Sequence, residues 1–323
     1  MAGDETLGEI GETEALARIF PRLPGASVAL VGPGDDAAVL AAPDGRFVVT
    51  TDMMVHGPDF RLAWSSAHDL GWKAAASNLS DVAAMGAVPT GLVVALAAPA
   101  DTSVTFLEQF ADGLRDACAA MAPGCGVVGG DLSVSPTLTI AVTAFGDLEG
   151  RQPVLRSGAR VGDVVAVSGP IGAAGAGIRR LFADATVDGR PDAALAAALR
   201  STHPEVASQL APTPPIADGP LAAIAGATAM IDLSDGLALD ARRVAIASGV
   251  ALDISLDAVG TREALVGGED HSLLATFPAT TTLPGGFRAV GTVVDGVGLR
   301  VDGEPFEARG GWDPYQGWDG EDG

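Results

Sequence analysis

The chain has 323 residues, with 19 Lys+Arg against 41 Asp+Glu, a net charge of −22 and a pI near 4.3. That surplus excludes a nucleic-acid binder, which needs a basic stripe to displace counterions from phosphates, and disfavours docking on anionic membranes. At roughly 150 residues per domain the length predicts two domains, and an apolar content of 48% is enough for two cores.

The apolar runs fall short of the roughly 20 residues that span a bilayer, and the opening MAGDETLGEIGETE is too acidic for a signal peptide. A soluble, cytoplasmic protein is expected. Cys118 and Cys125 are too few for a disulfide framework or a thiolate zinc site, and His56, His68, His203 and His271 show no metalloprotease spacing. Lys73 is the single lysine, in Gly71-Trp72-Lys73-Ala74, so no Walker A loop exists.

Taken in order, the elements begin with a short helix, Glu12 to Phe20, ended by Pro21 and Pro24. Two apolar runs flank Pro43-Asp44-Gly45, a turn signal that predicts a hairpin carrying Asp36 and Asp52. A helix from about Ser65 to Met85 stops at Gly86, and Thr90 to Ala97 reads as a buried strand. Thr105 to Met121 has Phe106, Phe110, Leu114 and Cys118 on one face, with Thr105 and Glu108 as its capping box. Leu138 to Phe145 alternates like a half-buried strand, and residues 146–162 read as a linker.

The second half predicts a strand at Asp163 to Ser168, a helix from Gly172 and an Ala-rich helix near Ala193 to Leu199. Pro212 to Pro220 must be loop or turn. A strand at Thr228 to Leu233, a helix at Asp235 to Ser248, a strand at Val250 to Leu256 and short strands near residues 288–301 follow. The fold class is α+β with mixed sheets. Adjacent strands are too many for a doubly wound fold.

Aspartate carries the chemistry. Gly34-Asp35-Asp36, Thr50-Thr51-Asp52, Asn78-Leu79-Ser80-Asp81, Gly129-Gly130-Asp131 and Asp232-Leu233-Ser234-Asp235 each sit at an expected strand or helix boundary. Short carboxylates beside glycines suit Mg²⁺, which takes hard oxygen ligands and substrate phosphates. Taken singly, each equally suits a helix cap or turn. Ser234 reads as the N-cap of the helix after it, able to offer a hydroxyl to phosphate. Asn78 and Asp81 share a helix face, where local backbone bonds are the alternative.

Gly32-Pro33-Gly34-Asp35-Asp36-Ala37 fits a dinucleotide fingerprint, but its carboxylates would repel pyrophosphate and a strand, not a helix, follows. The run Gly169 to Gly177 suits either a phosphate loop or close helix packing. Arg156 is a phosphate contact or a surface arginine. Gly267-Gly268-Glu269-Asp270 is a tight turn or a substrate loop. Trp312 and Trp318, in two Gly-Trp-Asp copies, can stack on a planar ligand or pin the tail.

In order, the segments GPGDDAAV (32–39), TTDMMV (50–55), WKAAASNLSDVAAMGAVPT (72–90), GGDLS (129–133), LRSGARVGD (155–163), IDLSDGLALD (231–240) and GGED (267–270) resemble the thiamine-monophosphate kinase family. That family belongs to the superfamily that includes aminoimidazole ribonucleotide synthase. The resemblance implies ATP-dependent phosphorylation of thiamine monophosphate to thiamine diphosphate, the last step in making that cofactor, with several Mg²⁺ ions. It implies Mg²⁺ ligands at Asp36, Thr50, Thr51, Asp52, Asp81, Asp131, Asp232 and Asp235. ATP contacts would fall on Gly130, Asp131, Arg156 and Ser234, and substrate contacts on Asp59, Glu269 and Trp312. Arg156, Asp131 and Asp235 are the implied catalytic residues.

It also implies an N-terminal ATP and Mg²⁺ domain over residues 1–147, whose mixed sheet pairs across a homodimer. An α+β domain over residues 148–323 would carry the substrate-contacting tail. The chain departs from the family's habit at Asp59-Phe60, where His-Phe is common, at His271-Ser272 after GGED, and in its doubled tail motif. Selenophosphate synthetases and hydrogenase-maturation relatives carry cysteines that this chain lacks at the matching places. A non-catalytic acidic metal binder is the alternative from another class.

Overall fold

The computed structural model describes residues 5–31 and 39–308. Asp36 and Trp312 lie outside these residues, as does Trp318.

The chain opens with helix α1 (Leu7–Ile19), broken at Gly11 where φ is 75°, then a 3-10 turn at Phe20–Arg22. Strands β1 (Ala29–Val31) and β2 (Val39–Leu40) pair with each other. Then come β3 (Val48–Val55), α2 (Ala67–Ala84), β4 (Val88–Ala98), α3 (Val104–Met121), β5 (Gly126–Val134) and β6 (Thr139–Asp147). The expected hairpin across Pro43-Asp44-Gly45 does not form, because β2 pairs with β1 while β3 pairs with β6. Turn chemistry is local, whereas strand pairing is decided by which faces can be buried.

The first sheet has the order β3-β6-β4-β5, antiparallel except for the parallel pair of β4 with β5. Its inner face, with Met54, Leu92, Ile140 and Val142 buried, packs on α2. Its outer face is apolar and open along β3, with Val49 55% and Met53 62% exposed and Phe47 beside them.

Helix α2 starts where Ser66 accepts from the Asp69 amide while the Asp69 carboxylate accepts from the Ser66 amide. It is wedged between this sheet, α3 and the second sheet, so its alanines and leucines are buried on every side. A helix without a solvent face must satisfy its polar side chains internally, and those of α2 build the sites described below.

The α2–α3 crossing is closer than side chains allow. A Cβ on Gly71 would lie 2.1 Å from the Phe110 carbonyl oxygen, and one on Gly113 would lie 2.1 Å from that of His68. Along α3, Phe110, Leu114 and Cys118 are buried as the spacing predicts. Its cap is Ser103, which accepts from the Phe106 amide, not Thr105; Glu108 pairs with Arg22 instead.

The second half contributes β7 (Val164–Ser168), α4 (Ala173–Asp184), β8 (Thr186–Val187), β9 (Arg190–Pro191), α5 (Ala193–Thr202), α6 (Pro204–Leu210) and α7 (Asp218–Ile224). After these run β10 (Ala229–Leu233), α8 (Leu237–Ser248), β11 (Ala251–Ile254), α9 (Leu256–Val259) and α10 (Arg262–Val266). The last elements are β12 (Ser272–Phe277), β13 (Arg288–Val294), β14 (Gly298–Val301) and β15 (Glu304–Pro305).

Seven of these strands form a mixed sheet in the order β10-β12-β7-β13-β11-β14-β15. One face joins the core under α2 through Met230, Leu273, Ala275 and Phe277. The other packs Ile231, Leu252 and Leu274 against Leu237, Ala241 and Val244 of α8. The architecture is thus the expected two-part α+β fold with mixed sheets. Pro220, expected in a loop, lies in the first turn of α7, where a missing N–H costs nothing.

Candidate active site

Two cavities flank α2. The larger, about 700 Å³, is lined by Thr50, Asp81, Arg156, Met230 and Asp232 among others. Thr50 and Asp52 reach the inner face of β3, where Val142 and Ala144 are their register partners. The Thr50 hydroxyl donates to Asp81 at 2.8 Å, and the Asp52 amide donates to the Asn78 side chain at 3.1 Å. Asn78 also donates to the Ala74 carbonyl, so it both makes the local bond and ties the helix to the strand.

Asp232, 3% exposed at the end of β10, stands 3.3 Å from the Ser80 hydroxyl and 3.4 Å from His271 Nδ1. Burial pushes the Asp81 carboxyl up to about 7, with the Asp232 and Asp52 charges adding to it. Asp52 is raised by burial first, with Asp232 and Asp235 adding and His271 opposing. Burial lowers His271, but the Asp232 carboxylate outweighs it and the ring sits above its usual value.

Among the described residues no three His, Cys, Asp or Glu side chains are close enough to cage a metal ion by themselves. The donor set nonetheless fits Mg²⁺: it is hard oxygen, its carboxylates repel one another in a buried cleft, and Mg²⁺ usually takes one or two carboxylates plus phosphates and water.

The next loop places Asp235 against Arg243, at 2.5 Å, and Arg243 also holds Asp240 at 2.6 Å. Burial, then Asp232, raises the Asp240 carboxyl to about 7. Ser234 does not cap α8; the cap is Gly236, because the turn closes two residues later. The Ser234 carbonyl instead accepts from the Glu269 amide at 2.7 Å.

Thr51, Gly130 and Asp131 do not join this cleft. Thr51 is exposed on the outer face, its hydroxyl donating to the Val142 carbonyl. Gly130 and Asp131 are also exposed and lie within β5, not at its end. Strands β3 and β5 are opposite edges of the sheet, about 14 Å apart at 4.8 Å per strand.

The second cavity, about 420 Å³, meets α2 two turns nearer its start, at Lys73, and is lined by Asp59, Arg61, Trp64, Lys73, Gln209 and Glu269 among others. Lys73 is 6% exposed and its ammonium donates to Glu269 at 3.0 Å; the Gln209 amide nitrogen donates to the same carboxylate oxygen. Burial alone would raise Glu269, yet Lys73 and Gln209 outweigh it and hold the carboxyl below its usual value. Asp59 accepts from the Val55 amide at 2.7 Å, and burial raises its carboxyl. The Arg61 guanidinium stands over Trp64 at 5.2 Å and Phe182 at 5.0 Å.

The glycine run before α4 takes the packing alternative. Gly177 lies against Glu205, where a Cβ would come within 2.1 Å of its carbonyl oxygen. The amides of Gly172 and Ala174, which would greet an anion, already donate to Asp270. Within Gly267 to Asp270, Asp270 is therefore a cap and Glu269 a cavity group.

Lys73, Gln209 and Arg61 belong to no motif that marks them as site residues in the sequence. For Lys73 a signal existed, a lone lysine within an Ala-rich stretch that could be buried only if paired. Gln209 sits on α6, a helix of seven residues that carries no motif of its own.

The chain matches the family of AIR synthase related proteins, its N-terminal domain at residues 34–148 and its C-terminal domain at residues 160–279. It is 41% identical to the thiamine-monophosphate kinase of Mycobacterium tuberculosis H37Rv, over 96% of this chain and 93% of that one. With the enzyme of that name from Corynebacterium glutamicum it shares 37% identity, over 89% and 87%. Among solved structures, the thiamine-monophosphate kinase of Stenotrophomonas maltophilia K279a superposes with a TM-score of 0.72 at 31% identity, covering 90% of this chain and 95% of that one. A structure described as AaThiL complexed with AMPPCP and TMP superposes at 0.70 with 30% identity, covering 94% and 96%.

Proposed function

Since the chain belongs to the thiamine-monophosphate kinases of the AIR synthase related family, we propose how its residues divide the work of the reaction. That reaction is the ATP-dependent phosphorylation of thiamine monophosphate to thiamine diphosphate. The phosphates of both substrates meet in the 700 Å³ cleft, and the organic part of the acceptor enters the 420 Å³ cavity. The observation that carries this reading is their shared wall, α2, with Asp81 facing one cavity and Lys73 the other.

Asp52, Asp81 and Asp232 would hold Mg²⁺, with Thr50 beside them; bound there, it offsets the charge of two polyanions. Asp36, outside the described residues, belongs to the same proposed set, and Asp235 joins it once released from Arg243. Arg156 presents a fixed fork of donors to ATP phosphate and to the charge that develops on the transferred group. Ser234 belongs with it on the nucleotide side, and Asp59, Glu269 and Trp312 contact the acceptor. A terminal phosphate oxygen of thiamine monophosphate forms the new bond to the γ-phosphorus while the bond to the β-phosphate oxygen breaks, releasing ADP. A phosphate monoester with a second pKa near 6 is already ionised, so no general base is required. The protein's task is alignment and charge.

Residues 1–147 form the nucleotide and Mg²⁺ domain of this cytoplasmic enzyme, and residues 148–323 the second domain. Two copies pair through the open apolar face of the first sheet, and Gly130, Asp131 and Thr51 serve the site formed at that junction. Its apolar side chains support the pairing, as does the separation of Asp131 from Asp52 within one chain.

Incubation with ATP, Mg²⁺ and thiamine monophosphate, followed by ³¹P NMR, should give thiamine diphosphate and ADP only with metal present. Intact ATP would refute the reading. For the dimer, Asp81→Asn and Asp131→Asn variants are each expected to be inactive. Mixed in equal amounts they should regain about a quarter of wild-type activity, since half of the dimers then hold one intact site. No recovery despite subunit exchange would place Asp131 with its own chain.

A further inference from the structure

The 420 Å³ cavity holds an unmet polar atom. Gln209 is 4% exposed, and its Oε1 has no hydrogen-bond partner among the described residues. The amide is oriented by its neighbour: the atom facing the Glu269 carboxylate must be the nitrogen, because two oxygens there would repel. Nε2 is therefore spent on Glu269, and Oε1 is the end left to accept. A buried acceptor without a donor costs free energy that a folded chain rarely leaves uncompensated. Gln209 lines the cavity beside Lys73 and Glu269; its Oε1 is closed to solvent, so a bound molecule supplies the missing donor through a small rotation of the amide.

We propose that Gln209 is a specificity-determining residue whose Oε1 accepts a hydrogen bond from an N–H of the acceptor's organic part, the exocyclic amino group of its aminopyrimidine ring. This deepens the proposed assignment of the cavity to that part of thiamine monophosphate, and rests on it. Gln209 and Lys73 have a joint effect on the site. By converging on one oxygen of Glu269 they keep it ionised and oriented, leaving the carboxylate next to an amide carbonyl. The unpaired amide carbonyl selects a ligand that presents an N–H there over one that presents a carbonyl or carboxylate.

The test compares thiamine monophosphate with its desamino analogue, in which hydrogen replaces the amino group, using the full chain with ATP and Mg²⁺. The wild type should favour the amino compound in kcat/KM by roughly 10- to 100-fold, the consequence of leaving a buried acceptor unpaired. Gln209→Met, close in volume but without an acceptor, should bring the two compounds within about threefold while KM for ATP stays unchanged. A merely structural role would weaken both compounds alike and preserve their ratio. Equal use of the two compounds by the wild type overturns the assignment without recourse to any variant, as does an undiminished ratio in Gln209→Met. If thiamine monophosphate is not turned over at all, the reading of the cavity fails first, and the role of Gln209 falls with it.

Discussion

Asp81→Asn is expected to lower kcat on the order of 10²- to 10³-fold while making the metal-free protein more stable at pH 8. The Asp81 carboxyl, raised to about 7 by burial and then by Asp232 and Asp52, prefers its proton in the fold. An acid raised above its unfolded value of about 3.9 is no burden below that value. It subtracts stability progressively as pH climbs through about 7. Asparagine keeps a side-chain oxygen for the Thr50 hydroxyl and removes the repulsion. The variant should therefore melt later than the wild type at pH 8 and together with it at pH 4. Added Mg²⁺ should close the gap by stabilising the wild type, since a ligand that binds only the folded state raises its stability. Thermal melts at both pH values, with and without Mg²⁺, check this. A variant that melts earlier at pH 8, or turns over normally, would remove Asp81 from the proposed site.

Gly113→Ala is expected to cost about 3 kcal/mol or more for a single added methyl group. The added Cβ would sit 2.1 Å from the His68 oxygen, 2.9 Å from its carbonyl carbon and 3.0 Å from the Trp72 nitrogen, all backbone. No rotamer relieves a clash between two backbones, so α2 and α3 must separate. The separation moves Lys73, Asn78 and Asp81 together, and turnover should fall with stability. Urea denaturation measures the loss. A shift below about 1 kcal/mol would mean that the crossing is looser than it looks.

Much of this architecture is visible in the residues themselves. Helices α2 and α3 announce themselves through 3.6-residue apolar spacing and a glycine stop at Gly86, though the cap of α3 is Ser103 and not Thr105. Strand β12 does not. All six of its residues, Ser272 to Phe277, are buried, so the alternation that marks a half-exposed strand is missing. Helix α6 follows α5 with only His203 between them, and its seven residues are too few to show an apolar period of their own.

The site was legible as a set of aspartates, because short acids beside glycines are an uncommon concentration of hard oxygen. Their distribution was not. Which carboxylates share a cleft depends on sheet order, and nothing local in Gly129-Gly130-Asp131 says that its strand lies at the far edge from Asp52. Nor does Ser234 signal that the helix after it starts beyond Gly236.

Lys73 and Asp81 sit on one continuous helix, eight residues apart, which at 1.5 Å per residue is about 12 Å along its axis. On the proposed assignment one end of the acceptor is gripped beside Lys73 and the other is delivered beside Asp81, so α2 acts as a ruler between them. A rigid rod buried on all sides cannot stretch. Molecules with the same ring but a shorter or longer tether to their phosphate would be seated and yet miss the reacting atoms. The selection of chain length is thus built into a helix that need touch neither end of the bond being made.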